Sequence, residues 1–215
     1  ADIKEYKPST NSIGSGQVLP CPYTFEQARL VIREMTDLLV LDLVDKRLVT
    51  DQLTLTVGYD IENLTDDSRK NDYKGEIKVD RYGRKIPRHA HGTVNLDSQT
   101  SSTKKITDAV MGLYDRIMDK KLLIRRMYLA ANKVVPETTV KQKESFEQLD
   151  LFTDYEALEK QRQKEKELLE RERKMQQAML DIKKKFGKNA ILKGMNLQEG
   201  ATAKDRNSRI GGHKA

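Results

Sequence analysis

The fold class can be predicted from residues 12–59, whose sequence is SIGSGQVLPCPYTFEQARLVIREMTDLLVLDLVDKRLVTDQLTLTVGY. In its middle, apolar side chains recur every three or four positions, which is typical of a helix with one buried face. These side chains are Phe25, Ala28, Ile32, Met35, Leu39 and Leu43. Thr24 followed by Gln27 forms a capping-box pattern at the start of this helix. The pattern predicts a helix that begins after Thr24 and runs to about Arg47.

Two strands flank the predicted helix. Residues 12–19 are typical of a glycine-containing strand that closes at Pro20 and Pro22. Residues 52–59 alternate apolar and polar side chains, so that one face of the strand is buried and the other is polar.

A third strand, a second helix and a fourth strand follow further along the chain. Residues 92–96 alternate as residues 52–59 do, a Ser/Thr cluster at residues 100–103 caps a second helix, and residues 124–131 form a last strand. The apolar stripe of this helix consists of Ile106, Val110, Leu113 and Ile117. The predicted fold is α+β, in the order βαββαβ, with a four-stranded sheet and two helices on one face. The other face is polar and can lie against a phosphate backbone.

A polar excursion at residues 60–90 interrupts this order. It is predicted to contain a β-hairpin around residues 81–83. The basic side chains on it are Lys78, Arg81, Arg84, Lys85 and Arg88. Because the whole excursion has a net charge near zero, a surface loop and a DNA-gripping arm both fit.

Composition bounds the class of protein. The 215 residues carry a net charge of +7, with 34% charged and 37% apolar residues, which favours a polyanionic partner such as nucleic acid or, second, a membrane surface. No apolar run is long enough to span a bilayer, and the lone Cys21 fits a reducing compartment. We therefore expect a cytoplasmic protein with no membrane partner; the oligomeric state is left open.

The carboxy-terminal part has a different composition. An acidic gap at residues 136–155 precedes a highly charged stretch, so the predicted units are a domain (1–135), a linker (136–153), a charged helix (154–186) and a basic tail (187–215). Within the helix, an apolar stripe needs a covering surface, either on a partner or on this chain. It consists of Met175, Met179, Ile182 and Phe186.

A short apolar motif lies in the acidic linker. It consists of Gln148, Leu149, Asp150, Leu151 and Phe152. Apolar side chains in a polar stretch are typical of a peptide that fills a partner's groove, with the glutamine fixing the register. Alternatively, they fold back on their own domain or staple the start of the next helix.

The motif resembles the bacterial sliding-clamp-binding motif, Gln-Leu-Ser/Asp-Leu-Phe, at all five positions. Residues before it resemble the carboxy-terminal part of Y-family translesion DNA polymerases of the UmuC-like (ImpB/MucB/SamB) branch. The matching stretches are residues 11–19, 52–59, 102–106 and 123–126, and residues 186–194 and 209–215 are similar to the end of those proteins.

The resemblance implies a little finger domain over residues 9–135 that rests on primer–template DNA, together with a sliding clamp as second partner. By position, its DNA contacts fall on the first strand, at Ser12, Ile13, Gly14, Ser15, Gly16 and Gln17, and on the last strand, at Arg125 and Arg126. Because side chains alternate along a strand, we expect Arg126 on the open face and Arg125 at an edge. Lys104 and Lys105 are added on charge alone, and a solvated surface fits them equally.

The resemblance also implies a parent enzyme that is an error-prone DNA polymerase of DNA repair and the SOS response, using Mg²⁺ on a palm domain that would precede residue 1. This fragment is expected to need no cofactor and to catalyse nothing alone. His89 and His91 lack further metal ligands, and Ser15 lacks a nucleophile-elbow pattern. The alternative is an RNA- or ribosome-binding interaction protein that uses its basic helix.

Overall fold

The computed structural model describes residues 11–70, 73–140, 155–210 and 213–214. The helices are α1 (Phe25–Asp45), α2 (Glu62–Thr65), α3 (Asp67–Lys70), α4 (Thr103–Ile117), α5 (Tyr155–Phe186) and α6 (Ala203–Asn207). The strands are β1 (Ile13–Tyr23), β2 (Leu48–Tyr59), β3 (Ile77–Val79), β4 (Lys85–Pro87), β5 (Ala90–Thr100), β6 (Ile124–Asn132), β7 (Val135–Pro136), β8 (Arg209–Ile210) and β9 (His213–Lys214).

The main sheet has the strand order β1-β6-β2-β5, and the short β7 also pairs with the start of β2; every neighbouring pair is antiparallel. The sheet therefore has five strands rather than the four predicted, because the chain after β6 returns to β2. Helices α1 and α4 pack on one face of it and on each other. The predicted α+β class is confirmed. With the excursion set aside, the elements that build the sheet and its helical layer run strand, helix, strand, strand, helix, strand.

Helix α1 forms because its apolar residues share one face and its first turn is capped. All six residues of the predicted stripe are buried. Thr24 Oγ1 accepts from the Gln27 backbone N–H, and the Gln27 side chain accepts from the Thr24 N–H, which completes the predicted capping box. The helix ends at Asp45, and Arg47 takes a positive φ of 54° to turn the chain into β2.

Helix α4 is held to helix α1 by a buried tyrosine. Tyr114 on α4 is fully buried, its ring lies 4.9 Å from that of Phe25, and its hydroxyl donates to the Phe25 carbonyl at 2.8 Å. Burial raises the pKa of the Tyr114 hydroxyl above its usual value, so it remains a donor.

The first strand is longer than predicted. It continues through Pro20 and Pro22 to Tyr23, where the sequence predicts closure. Because β1 is an edge strand, the missing backbone N–H groups of Pro20 and Pro22 remove no hydrogen bond from the sheet.

The first residues of the predicted linker, which was expected to begin at Pro136, are held by the domain. Val135 and Pro136 pair with β2, and Glu137 forms an ion pair with Arg173 of α5. The residues just after the domain boundary are therefore part of the fold.

Helix α5 lies against α1 and the start of α4 rather than standing free. Its covered face contains Gln176 and Leu180, whereas Met175 and Phe186 of the predicted stripe are 59% and 67% exposed. Gln176 donates to the Ser101 carbonyl and to Thr103 Oγ1, so a polar contact sets the rotation of the helix. Docking onto this chain is thus the observed outcome, through a face rotated from the predicted one.

The tail folds back over α1 and is held by a buried carboxylate. Glu34, 1% exposed, accepts from Asn196 Nδ2 (2.8 Å) and from the backbone N–H groups of Thr202 (2.7 Å) and Ala203 (3.0 Å). Lys193 adds an ion pair with Asp37 at 2.7 Å. The helical layer is consequently covered on its outer side by α5 and by the tail.

Candidate nucleic-acid interface

The sheet face opposite α1 and α4 is not covered by any helix in the described part of the chain. We call it the open face. Its residues are Gly14, Gly16 and Val18 on β1; Gln52, Thr54, Thr56 and Gly58 on β2; His91, Thr93 and Asn95 on β5; and Arg126, Tyr128 and Asn132 on β6. Their alternating partners, such as Leu53, Leu55 and Leu129, are buried under the helices.

Cross-strand hydrogen bonds order the polar side chains of β2 and β5. Three pairs lie side by side: Gln52 Nε2 with Asn95 Oδ1 (2.8 Å), Thr54 Oγ1 with Thr93 Oγ1 (3.0 Å) and Thr56 Oγ1 with His91 Nδ1 (2.8 Å). Such pairs stabilise a sheet and fix its side chains. This half of the open face is therefore a flat surface of preformed donors and acceptors.

The β1–β6 half is shaped by glycines under an aromatic ring. A Cβ atom at Gly14 would lie 2.5 Å from the Tyr128 hydroxyl, and one at Gly16 would lie 3.4 Å from the ring. Tyr128 thus lies across the two glycines while remaining 47% exposed. The glycines keep β1 thin enough for the ring to lie flat on the sheet.

Arg126 lies on the open face in the same manner. A Cβ atom at Gly58 would be 2.6 Å from Arg126 Nε, so the absence of a side chain there lets the arginine cross β2. The side chain of Arg126 is exposed. A shallow depression of about 430 Å³ surrounds it, and its lining includes Thr56, His89 and Tyr128.

His89 adds a titratable group to this depression. Burial lowers its pKa below the usual 6.5, and the positive charges of Lys78, Arg126 and Arg88, together with His91, lower it further. The same cations that repel a proton from His89 attract an anion. The depression is therefore suited to a phosphate group.

The structure places the predicted arginine pair on different surfaces. Arg126 is on the open face, as alternation predicts, whereas Arg125 lies toward Asp60, with its Nε 3.7 Å from Asp60 Oδ2. Asp60 is buried, so the role of Arg125 in this structure is to neutralise that carboxylate. A DNA contact by either residue remains a prediction.

The predicted β1 residues divide between the two faces of the sheet. Gly14 and Gly16 lie on the open face, and Ser12 is exposed just before the strand. Ile13, Ser15 and Gln17 point to the helical side. The Gln17 side chain there accepts from Arg206 Nη1 at 2.9 Å, a contact with the tail rather than an exposed position.

Lys104 and Lys105 are on the helical side too. They lie in the first turn of α4, where the Lys104 N–H donates to Glu172 Oε1 and Lys105 Nζ pairs with Glu165 at 2.6 Å. The structure thus brings Lys105 to α5 and away from Arg126. The clamp-like motif, Gln148 to Phe152, lies outside the described residues.

Of the open-face residues, only Gly14, Gly16 and Arg126 were among those predicted to bind DNA; His91 and Gly58 are two of those that were missed. His91 has the same alternation as Thr93 and Asn95, so extending that strand by one residue would have found it. Gly58 could have been identified only together with the long side chain that crosses it from the neighbouring strand.

Within residues 11–70, 73–140, 155–210 and 213–214, no group of His, Cys, Asp and Glu is placed to hold a metal ion. No helix in those ranges combines the length and apolar character needed to cross a bilayer.

Comparison with known proteins gives one family and a set of solved structures. Residues 10–151 match the model of the impB/mucB/samB family C-terminal domain. Two similar structures are the insertion ternary complex and the post-insertion binary complex of Dbh DNA polymerase, at 11% and 12% identity and TM-scores of 0.38 and 0.32. They match over 58% and 61% of this chain but only 29% and 32% of the polymerase, so this chain spans less than a third of those proteins. The search of curated proteins returned no match.

Proposed function

Because residues 10–151 of this chain belong to the impB/mucB/samB family C-terminal domain, we propose that the chain is the DNA-binding and clamp-tethering part of an error-prone translesion DNA polymerase. In this proposal it contributes no chemistry itself. The Mg²⁺-dependent reaction takes place on other domains of the parent polymerase, in the cytoplasm, during repair and tolerance of DNA damage.

The observation that carries the DNA-binding proposal is the open face. It is an uncovered sheet surface with preformed hydrogen-bonding pairs, an exposed aromatic ring and an exposed arginine laid over a glycine. A surface of this kind can approach a duplex closely, since Gly14, Gly16 and Gly58 remove side chains that would hold it away. Most contacts to a DNA backbone come from arginine, hydroxyl and amide groups such as these.

The experiment is binding of the full chain to a primer–template duplex, followed over a range of salt concentrations. Arg126→Ala should weaken binding about tenfold at low salt and reduce the slope of log K against log salt by about 1, as expected for one lost phosphate contact. Arg33→Ala is the matched control, because Arg33 is exposed on α1, on the helical side. Equal effects of the two substitutions would refute the assignment of the open face.

The tether is carried by the five-residue motif at Gln148–Phe152. Residues through Thr139 form part of the fold, so the eight residues 140–147 link the domain to the motif. Eight residues span at most about 26 Å, at roughly 3.3 Å per extended residue. Tethering raises the effective concentration of the polymerase at the primer end, even where each contact is weak.

The test of the tether is binding to a bacterial sliding clamp. Leu151→Ala combined with Phe152→Ala should abolish it, because apolar side chains in the partner's groove provide most of such an affinity. The matched control is Met175→Ala combined with Phe186→Ala, which removes two exposed apolar side chains from α5. Clamp binding that survives the first double substitution would refute the tether and leave the DNA-binding proposal standing.

A further inference from the structure

The excursion between β2 and β5 is nearly neutral as a whole but divided in charge. Residues 60–72 carry five carboxylates and two basic side chains, whereas residues 73–91 carry six basic side chains and two carboxylates. The two halves therefore have net charges of −3 and +4. The near-zero net charge of the whole excursion hides this separation.

The acidic half is built into the domain. Asp60 is buried and accepts from the Glu62 N–H, and Asn63 is fully buried, exchanging hydrogen bonds with the Leu123 backbone. Arg69 donates to the Lys121 carbonyl. These contacts fix α2 and α3 against the start of β6, so the acidic half is explained by the fold.

The basic half forms a two-stranded ribbon that the core does not use. Strands β3 and β4 pair from Ile77↔Pro87 to Val79↔Lys85, and only Pro87 at the base is buried. All of β3 is exposed, including Ile77 (50%) and Val79 (66%). An isolated two-stranded hairpin is marginally stable, and this one exposes the apolar groups that could have stabilised it against the domain.

The tip of the ribbon is nevertheless ordered by its own contacts. Asp80 accepts from the backbone N–H groups of Tyr82 and Arg84 and forms an ion pair with Arg84, while Gly83 takes a φ of 78° to close the turn. The guanidinium groups of Arg81 and Arg84 lie 4.8 and 5.3 Å from the centre of the Tyr82 ring. The ring thus holds two cations at the outermost point of the hairpin.

Three cations of the ribbon have no carboxylate partner among the described residues. They are Lys74, Arg81 and Lys85, since Glu76 pairs with Arg88 and Lys78, and Asp80 pairs with Arg84. All three are exposed. Exposed cations without a carboxylate partner are complementary to a polyanion.

The ribbon is continuous with the open face. His89 joins the end of β4 to β5 and lines the depression around Arg126. Its pKa is lowered by burial and then by charges from both sides, Lys78 and Arg88 of the ribbon and Arg126 of the sheet. The positive charge of the ribbon therefore extends that of Arg126 along one surface.

We propose that this ribbon is a second DNA-binding element, which lies in the groove of the same duplex that rests on the open face and places its tip cations on the phosphates. A two-stranded ribbon fits the width of the major groove, and basic side chains at its tip reach the phosphate walls. This proposal rests on the proposed function of the open face, because the ribbon extends that surface.

The test uses the full chain with Lys74→Gln, Arg81→Gln and Lys85→Gln combined. Duplex affinity should fall at least about tenfold, and the salt slope should fall by about 2 to 3, at roughly 0.9 for each phosphate contact. The matched control combines Lys160→Gln, Lys164→Gln and Lys174→Gln, three exposed cations of α5. As a measurement independent of charge, a photocrosslinking phenylalanine derivative at position 82 should crosslink to the duplex.

The outcomes separate the two proposals. If Arg126→Ala weakens duplex binding and the ribbon variant equals its control, the ribbon proposal is overturned and the proposed function stands. If neither Arg126→Ala nor the ribbon variant changes binding, both are overturned. Loss of affinity for single-stranded DNA alone, with duplex binding retained, also overturns the ribbon proposal.

Discussion

Replacing Glu34 with alanine should release the carboxy-terminal tail while the sheet and its two helices stay folded. Glu34 is the buried carboxylate on α1 that accepts the backbone N–H groups of Thr202 and Ala203 and the side chain of Asn196. In the variant these donors lose their acceptor at a site from which water is largely excluded. The tail then gains by detaching, because its free N–H groups can bond to water.

The magnitude follows from the two backbone hydrogen bonds. A hydrogen bond to a charged group contributes about 1.5 kcal/mol at the lower end of its range, so the pair contributes about 3 kcal/mol to docking of the tail. At about 1.4 kcal/mol per factor of ten, this corresponds to about a 100-fold increase in the population of the detached tail.

The assay is hydrogen exchange of the native protein, resolved at the amides of Thr202 and Ala203. Their protection should fall about 100-fold in Glu34→Ala, while the amide of Leu55 in the central strand keeps its protection. Glu26→Ala is the control, since Glu26 is an exposed carboxylate on the same helix. Unchanged protection at Thr202 and Ala203, or an equal loss at Leu55, would refute the reasoning.

Two further predictions concern the core and the open face. Tyr114→Phe should lower the free energy of unfolding by about 1 kcal/mol in urea denaturation, because the buried Phe25 carbonyl loses its donor; Tyr128→Phe, at an exposed ring, should change little, and equal stabilities of the two variants would contradict this. The pKa of His89 is below 6.5 in the fold, so the unfolded chain takes up its proton first and stability should fall as the pH drops below 6.5. His89→Gln should flatten the melting temperature measured between about pH 7 and pH 5, and an unchanged profile would show that His89 does not contribute.

The elements of the domain were predictable from sequence because their signals are local. The stripe of α1 and its capping box lie within 20 residues, and the alternation of β2 identifies its buried and open faces directly. Alternation also placed Arg126 on the open face and Arg125 off it. For these positions, the period of the backbone decides the direction of each side chain.

The face of α5 was not predictable in the same manner. An apolar stripe suggested Met175 and Phe186, but the covered face centres on Gln176, because the start of α4 presents a carbonyl and a hydroxyl that need a donor. Polar side chains become buried where they satisfy such groups. That partner lies more than 70 residues away and leaves no periodic signal in the helix itself.

The docking of the tail likewise depends on one long-range contact. Glu34 lies on the side of α1 away from the apolar stripe, with Asp37 and Leu38, and it is buried because the tail covers it. Its partners at Asn196, Thr202 and Ala203 are more than 160 residues distant. The sequence of α1 therefore gives no sign that position 34 is buried.

The ring of Tyr128 resting on Gly14 and Gly16 links positions that are more than 110 residues apart in the chain. A side chain at position 14 can be accommodated only if the ring leaves, and a small residue at position 128 would leave the two glycines exposed. We therefore expect the residues at these positions to vary together among related chains, with glycine at 14 accompanying an aromatic at 128. Such covariation would be a record of this sheet surface that is readable without any structure.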